Sequence, residues 1–306
     1  MVLRLQVKIV KKAVIALLFL SLFSACRIAA DVNSNAESIR QMRVVTDDLD
    51  RKASIPVNVT RVVSLAPNLT ESIFAVGAGD RLVGVTTFCN YPEQAKEIAK
   101  VGDTMNPNME SIVALKPDVV FVSTASQIEA FMKTLEANGI AVYVTNPKDL
   151  ESVFESLTNL GRLMGTEREA GALVEKLRER SSLCFLTLKT PPRVFVQISK
   201  EPLFTVGREA FVTELVKAVG GVSVTANIES AYPKLSKETA SALNPEVIIL
   251  SESDDNKEPN EAFKNSPAVK NGRVYKVNAD LLSRPGPRLV DALEQIARDL
   301  HPEKFK

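Results

Sequence analysis

Residues 149–184, DLESVFESLTNLGRLMGTEREAGALVEKLRERSSLC, form the longest helical pattern in the chain and lie between two halves that resemble each other. The pattern breaks once, at Gly165-Thr166, where the glycine is typical of a helix C-terminus. Thr166 and Glu169 have the spacing of a capping box, which predicts that a new helix begins there. The sequence therefore predicts two helices, Asp149–Met164 and Glu167–Cys184.

The second of these helices has two interpretations. Its apolar residues fall on one stripe and the remainder is charged, as in an ordinary amphipathic surface helix. Its position between two similar halves favours a spine that joins two lobes. At 1.5 Å per residue, Glu167–Cys184 would be about 27 Å long, close to the width of a small domain.

Composition limits the classes of function. The 306 residues allow one large domain or two of ordinary size, and the formal net charge of +1 gives no support to nucleic-acid binding. His301 is the single histidine, which argues against multi-histidine metal sites and histidine-based catalysis. The sequence also lacks a G-x-S-x-G elbow, a P-loop and an H-E-x-x-H motif. Carboxylate or cysteine chemistry stays open, but no pair of such residues stands out, and the absence of a catalytic signature is what we expect of a binding protein.

The N-terminus predicts a lipoprotein signal peptide over residues 1–25. Basic residues precede the apolar run Ala13–Phe23, which is short for a membrane span and typical of a signal sequence. Ser24-Ala25-Cys26 resembles a bacterial lipidation site, with Cys26 as the lipidated residue. Simple secretion and a retained anchor helix are the alternatives. Residues 26–42 are polar and predict a tether, which places the protein in the periplasm or on the outer face of the cytoplasmic membrane.

Short apolar strands alternate with helices on both sides of the spine, which predicts parallel sheets covered on both faces. We therefore expect an N-terminal lobe over residues 43–148 and a C-terminal lobe over residues 187–306, with a lobe helix and the connecting spine helix in residues 149–186. The predicted strands are Arg61–Leu65, Leu82–Val85, Val119–Val122 and Ile140–Val144 in the first lobe, and Arg193–Val196, Val247–Leu250 and Val274–Val277 in the second.

One segment occurs in both halves. Residues 110–120, ESIVALKPDVV, match residues 238–248, ETASALNPEVI, at a constant offset of 128 positions. Glu, Ala-Leu, Pro, an acid and Val coincide. Duplication of one βα unit explains the match, and convergence on one type of helix–proline–strand junction is the alternative.

Ligands of open α/β sheets bind outside the carboxyl ends of the strands. The loops expected there carry aromatic rings, amides and hydroxyls, which suit a large and mostly neutral organic ligand. An aromatic residue in such a loop also commonly plugs the core. Gln197 and Lys200 are further polar residues of these loops. The candidate ligand-binding residues are Pro67, Asn68, Phe88, Tyr91, Phe204, Tyr232 and Arg284.

Five stretches resemble one family: Arg61–Glu71, Tyr91-Pro92, Glu110–Asp118, Phe204–Gly207 and Ser283–Arg288. They are similar to the cobalamin- and iron-siderophore-binding proteins of ABC importers, over about residues 43–301. The resemblance implies an α/β fold of two Rossmann-like lobes with parallel sheets, joined by a single long helix, with the ligand in the cleft between the lobes. It implies a monomer, not an enzyme, that works with a permease dimer and its ATPase subunits.

The resemblance also implies a docking role for two glutamates. In the family, one exposed glutamate on each lobe contacts arginines of the permease, and the matching positions are Glu110 and Glu238. Each would lie in the first turn of a short helix, where the helix dipole favours a carboxylate without any partner.

Within the family, the resemblance is greatest to the cobalamin-binding branch, through Asn90-Tyr91-Pro92 and Ser283–Arg288. Cobalamin would be the transported ligand and not a cofactor. Phe88 and Tyr232 align with aromatic ligand positions, whereas the branch can carry a tryptophan at the loop of Thr104 and this chain contains none. A ferric siderophore or haem is the second choice of ligand. An extracytoplasmic enzyme or sensor on the same scaffold is the competing class.

Overall fold

Two β-sheets organise the fold, which we describe from a computed structural model covering residues 41–123 and 129–305. The predicted signal peptide, Cys26 and most of the predicted tether lie outside the described residues. The chain divides into the units Met1–Met42 and Arg43–Lys306, and the fold below is that of the second unit. The two-lobed α/β architecture predicted from the sequence is confirmed.

The N-terminal lobe contains a four-stranded sheet in the order β4-β3-β5-β6, in which all neighbouring strands are parallel. A two-stranded sheet of β1 and β2 precedes it. The strands are β1 (Met42–Thr46), β2 (Lys52–Pro56), β3 (Val62–Ser64), β4 (Leu82–Val85), β5 (Val119–Ser123) and β6 (Ala141–Thr145). The helices are α1 (Pro67–Ala75), α2 (Met109–Ala114) and α3 (Glu129–Ala137).

The C-terminal lobe contains a sheet in the order β11-β10-β7-β8, with β9 also paired to β7. Only β8 among these strands is antiparallel to its neighbour. The strands are β7 (Arg193–Ser199), β8 (Phe204–Thr205), β9 (Val222–Ser223), β10 (Val247–Glu252) and β11 (Val274–Asn278). The helices are α6 (Phe211–Ala218), α7 (Lys237–Leu243), α8 (Pro267–Lys270), α9 (Ala279–Ser283) and α10 (Leu289–Leu300).

Two consecutive helices, α4 (Leu150–Met164) and α5 (Glu167–Ser182), connect the two sheets. They are separated by Gly165, whose φ of 64° is left-handed, so the predicted stop is confirmed. Buried side chains of both helices belong to an apolar cluster that continues into both lobes. The spine predicted between the lobes is α5, which packs against α4 on one side and α10 on the other.

The capping box predicted at Thr166 is wrong. Thr166 makes no capping hydrogen bond, and its buried hydroxyl has no partner. The capping box lies instead at the start of α4, where the Asp149 carboxylate accepts from the Ser152 N–H at 2.7 Å. In return, the Asp149 N–H donates to the Ser152 hydroxyl at 2.9 Å. The Ser152 hydroxyl also donates to the Asp149 carboxylate at 2.7 Å, and this bond, followed by the one from the Ser152 N–H, lowers the Asp149 pKa.

Helix α6 begins at Phe211, four residues after Gly207. Gly207 belongs to a loop, and its N–H donates to the Ala231 carbonyl at 3.0 Å. A Cβ at this position would lie 2.1 Å from the Ser230 carbonyl oxygen, so the close approach of the two backbones requires glycine.

The repeated segment adopts the same junction in both lobes. The N–H of Asp118 donates to the Arg61 carbonyl at 2.8 Å, and the N–H of Glu246 donates to the Arg193 carbonyl at 2.9 Å. The carboxylate of each acid also accepts a hydrogen bond from the N–H of the same arginine, at 2.9 Å in both lobes. The sequence match therefore encodes one way of joining a short helix to a central strand.

Candidate functional site

Three of the predicted ligand-binding residues are large aromatic side chains with substantial exposure. Phe88, Tyr91 and Tyr232 are 55%, 47% and 49% exposed. Phe204 and Pro67 are partly buried, and Asn68 is buried in α1. The exposed rings are therefore the strongest candidates for direct contact with a ligand, since buried residues offer it little surface.

The loop after β4 holds Phe88 outward. The Thr87 N–H donates to the Gly102 carbonyl at 2.9 Å, and the Cys89 N–H donates to Thr86 at 3.1 Å. Cys89 itself is buried, with its Sγ 3.1 Å from the Thr70 hydroxyl. Since its two neighbours are fixed on the protein side, Phe88 projects into solvent. Cys89 and Cys184 are both free, buried thiols.

A tight turn presents Met105 next to the Phe88 loop. The Asp103 carboxylate accepts from the N–H groups of Met105 and Asn106 at 2.7 and 2.6 Å, and these bonds lower the Asp103 pKa. Met105 is 51% exposed. Met105 was not among the candidate ligand-binding residues, because a methionine in a loop carries no distinctive pattern.

In the C-terminal lobe, the segment containing Tyr232 lies along the edge of β8. The Thr205 N–H donates to the Pro233 carbonyl at 3.1 Å, and Phe204 bridges to Lys234. Burial raises the pKa of the Tyr232 phenol, although about half of the side chain is exposed. The phenol therefore stays neutral at physiological pH, and the ring remains accessible.

Gln197 is a structural residue and not part of the ligand surface. It is fully buried, and its amide donates to the Asn256 side chain at 2.7 Å and to the Glu258 carbonyl at 2.9 Å. Asn256 is also fully buried. The acidic loop Ser251–Glu258 is therefore anchored into the lobe through Asn256 and Glu258.

Four charged residues and one asparagine join the two lobes at a contact that we call the interlobe cluster. Its members are Glu71, Asn90, Asp280, Arg284 and Arg288. Glu71 on α1 accepts from Arg284 at 2.8 Å and from Arg288 at 2.7 and 2.8 Å. Arg284 also bonds Asn90 at 2.7 Å and pairs with Asp280 at 2.7 Å. Bonds to Glu71 are the main cause of a raised Arg288 pKa.

Arg284 was predicted to bind the ligand, and the structure places it in this cluster. Its side chain is 11% exposed, and its guanidinium makes the bonds given above together with a 3.5 Å contact to the Phe88 carbonyl. Little of its surface remains for a ligand. Asn68 lies at the same contact and donates to the Pro285 carbonyl at 3.4 Å.

A recess of about 380 Å³ is lined by residues of both the interlobe cluster and the spine. Glu71, Tyr91 and Arg288 contribute to its lining, and so do Leu173 and Leu177 of α5. A larger recess of about 630 Å³ lies elsewhere, at Pro192, Glu246 and His301 beside the amino ends of β7 and β10. Because ligands of such sheets bind at the carboxyl ends, its size alone does not make it the ligand site.

Glu110 and Glu238 occupy matching positions on the two lobes. Both are exposed and lie in the first turn of α2 and α7. Asn108 caps α2 by accepting from the Ser111 N–H at 2.9 Å, and Ser236 caps α7 by accepting from the Thr239 N–H at 3.1 Å. A bond from its own backbone N–H, followed by one from Ser236, lowers the Glu238 pKa.

Two further searches cover only residues 41–123 and 129–305. No helix in these ranges has the length and apolar character needed to cross a membrane. In the same ranges, no three His, Cys, Asp or Glu side chains come together in a way that could hold a metal ion.

Comparison with known proteins gives consistent matches over most of the chain. A family model described as periplasmic binding protein matches residues 62–281. An uncharacterised ABC transporter substrate-binding lipoprotein, YvrC of Bacillus subtilis, is 32% identical over 273 residues, which cover 86% of each chain. A vitamin B12-binding protein of Vibrio cholerae is 32% identical over 257 residues, covering 79% of this chain and 89% of its own. The crystal structure of the periplasmic vitamin B12-binding protein BtuF of Vibrio cholerae superposes with a TM-score of 0.66 at 30% identity, covering 82% of this chain and all of the other.

Proposed function

Because the chain belongs to the periplasmic binding protein family, we propose that it is a lipid-anchored extracytoplasmic protein that binds cobalamin or another corrinoid and delivers it to an ABC importer. Its permease dimer and ATPase subunits would be the partners. The protein would act by binding and release, without catalysis.

The observation that carries this proposal is the set of exposed aromatic rings on loops of both lobes. Phe88 and Tyr91 come from the first lobe and Tyr232 from the second, and each has about half of its surface free. A corrinoid is large and has extended apolar faces, for which aromatic rings are suitable contacts. The similarity to the vitamin B12-binding protein of Vibrio cholerae, in sequence and in structure, supports the same ligand class.

Charge supports a corrinoid over a ferric siderophore. Siderophore chelates carry negative charge that a binding site would match with free basic side chains. Arg284 is committed to Glu71 and Asp280, and Lys200 lies 3.5 Å from Glu258. The basic residues that the sequence offered for an anionic chelate are thus neutralised within the protein.

Titration calorimetry of the purified protein tests the proposal. We expect cyanocobalamin to bind with a sub-micromolar Kd, and haem and a ferric siderophore to give no comparable heat. Heat with haem or the siderophore alone would assign the protein to another ligand within the same family. No binding of any of the three compounds would contradict the proposal.

Ring deletions locate the site. Removal of an aromatic contact costs about 1–2 kcal/mol of binding energy, so Phe88→Ala and Tyr232→Ala should each weaken cyanocobalamin binding by roughly tenfold. Phe185→Ala is a matched control, because Phe185 is 52% exposed and lies beyond the C-terminal end of α5. Equal losses in all three variants would refute the placement of the ligand at these loops.

A further inference from the structure

The carboxylate of Glu71 is buried, and it accepts its hydrogen bonds from side chains of the protein itself. It lies on α1 of the first lobe, and its side chain is 1% exposed. Two arginines of the second lobe reach it, and Arg288 binds both of its carboxylate oxygens. The side chains of Arg284 and Arg288 are themselves 11% and 20% exposed.

Such a contact differs from a surface ion pair. Buried charges are costly to desolvate, and loss of one partner leaves the others uncompensated. Glu71 accepts three charge-assisted bonds, and Asp280 supplies a second carboxylate to Arg284. The lobes can therefore separate at this point only by exposing or unpairing several charges at once.

The interlobe cluster also holds the loop that carries the candidate ligand rings. The Arg288 guanidinium lies 3.9 Å from the centroid of the Tyr91 ring. Arg284 donates to the Asn90 side chain at 2.7 Å, and the Asn90 amide donates to Asp280 at 3.3 Å. The segment Phe88–Tyr91 of the first lobe is thus oriented by arginines of the second lobe, and both arginines are fixed by Glu71.

The cluster adds charged contacts between the lobes to the apolar packing that the spine provides. A single helix permits bending and twisting of one lobe against the other, whereas contacts at a second place oppose both. The distance between the lobes therefore depends on the cluster as well as on the spine.

We infer that Glu71 is a positioning residue for the ligand site, which acts through Arg284 and Arg288 to set the distance between the lobes and the orientation of the Phe88–Tyr91 loop. The inference rests on the proposed function for its effect on affinity. Its effect on the loop requires no ligand.

The first test compares Glu71→Gln with Glu93→Gln by hydrogen exchange in the absence of ligand. Glutamine keeps the size of Glu71 but removes its charge, so amides of residues 86–92 and 279–288 should exchange at least about tenfold faster. Amides of β5 and β10 should be unchanged, which shows that both lobes stay folded. Glu93 pairs with Lys96 on the surface at 2.8 Å, and its variant should match the parent.

The second test measures affinity for cyanocobalamin and its rescue. Glu71→Gln should weaken binding by about tenfold because the site is less preorganised. A cross-link between the lobes should restore affinity if Glu71 acts by positioning. Ser72→Cys with Gly286→Cys suits this purpose, because a Cβ at Gly286 lies 3.5 Å from the Ser72 hydroxyl oxygen. Oxidised Ser72→Cys/Gly286→Cys in the Glu71→Gln background should bind within about threefold of the parent, and reduction should remove the gain.

The outcomes separate the two proposals. Unchanged exchange in residues 86–92 and 279–288 of Glu71→Gln overturns the positioning role, whatever the ligand. Faster exchange together with unchanged affinity, or with no rescue by the cross-link, overturns the link to the ligand site. If the parent protein binds no corrinoid, the proposed function fails, while the exchange experiment still decides the role of Glu71.

Discussion

The helix–proline–strand junction occurs once in each lobe, and the two copies differ in burial. In the first lobe, Asp118 is 5% exposed and accepts from the Thr60 N–H, the Thr60 hydroxyl and the Arg61 N–H at 2.7–2.9 Å. In the second lobe, Glu246 is exposed and accepts from the Arg193 N–H. The shorter acid is buried under its donors, and the longer acid reaches the same N–H from the surface.

The comparison separates what the junction requires from what each lobe adds. In both copies, an arginine side chain donates to a carbonyl at the C-terminal end of the short helix. Arg61 bonds the Leu115 carbonyl, and Arg193 bonds the Leu243 carbonyl. Both copies place the residue before proline in a left-handed conformation, with φ of 46° at Lys116 and 44° at Asn244. The backbone geometry is common to both lobes, whereas we expect the two acids to contribute different amounts to the free energy of unfolding.

The largest expected effect concerns Glu110 and Glu238, which begin the two copies. If they dock the permease as the family resemblance implies, Glu110→Ala combined with Glu238→Ala should reduce corrinoid uptake to background in whole cells while leaving the Kd unchanged. Each single variant should have an intermediate effect, because the two sites are equivalent. A fall in ligand affinity in the purified double variant would argue against a docking role.

The next largest effect contrasts the two acids. Asp118→Ala leaves buried donors without a charged acceptor and should lower the free energy of unfolding by about 3 kcal/mol. Glu246→Ala removes an exposed acceptor whose donor can turn to water, and should cost about 1 kcal/mol or less. Urea denaturation of the two variants measures the difference. Equal losses in the free energy of unfolding would mean that burial does not determine how much the acid contributes to stability.

The smallest effect concerns the left-handed residue before each proline. A lysine in this conformation is strained and glycine is not, so Lys116→Gly should raise stability by about 0.5 kcal/mol. Asparagine tolerates the left-handed region, so Asn244→Gly should leave stability within about 0.3 kcal/mol. Thermal denaturation checks both variants, and a gain at Asn244 that exceeds the gain at Lys116 would contradict this explanation.

Local patterns in the sequence were sufficient for most of the fold. The strand Leu82–Val85 has the predicted bounds, because it is delimited by turn residues next to a regular apolar pattern. The repeat correctly predicted a shared junction. Short elements such as β8, β9 and α9 were missed, since two to five residues carry no measurable period.

The failed capping box shows why motif spacing is insufficient. Thr166 has Glu169 three residues ahead, yet its backbone, with ψ of 39°, lacks the extended conformation that a capping residue needs. The tight reversal after Gly165 imposes this conformation. At Asp149, the third residue is Ser152 and not Glu or Gln, so the real capping box lacked the usual signature.

The candidate site was only partly predictable for a physical reason. Exposed rings in loops, such as Phe88 and Tyr232, could be proposed from their position after strands. The partners of Glu71 are 213 and 217 residues away, and only folding brings them together. The sequence did not reveal that a buried carboxylate of the other lobe faces Arg284. For this reason Arg284 was interpreted as a ligand contact.

The reactivity of the two buried thiols, Cys89 and Cys184, can report local opening of the protein. Cys89 lies in the first lobe beneath the Phe88 loop, and Cys184 follows the last turn of α5, with 2% and 1% of their surfaces exposed. Burial also raises the pKa of the Cys184 thiol, which keeps it in the unreactive protonated form. A thiol reagent can reach either residue only when its surroundings open. The labelling rates of Cys89 and Cys184 would therefore measure, in one sample, how often each end of the molecule loosens.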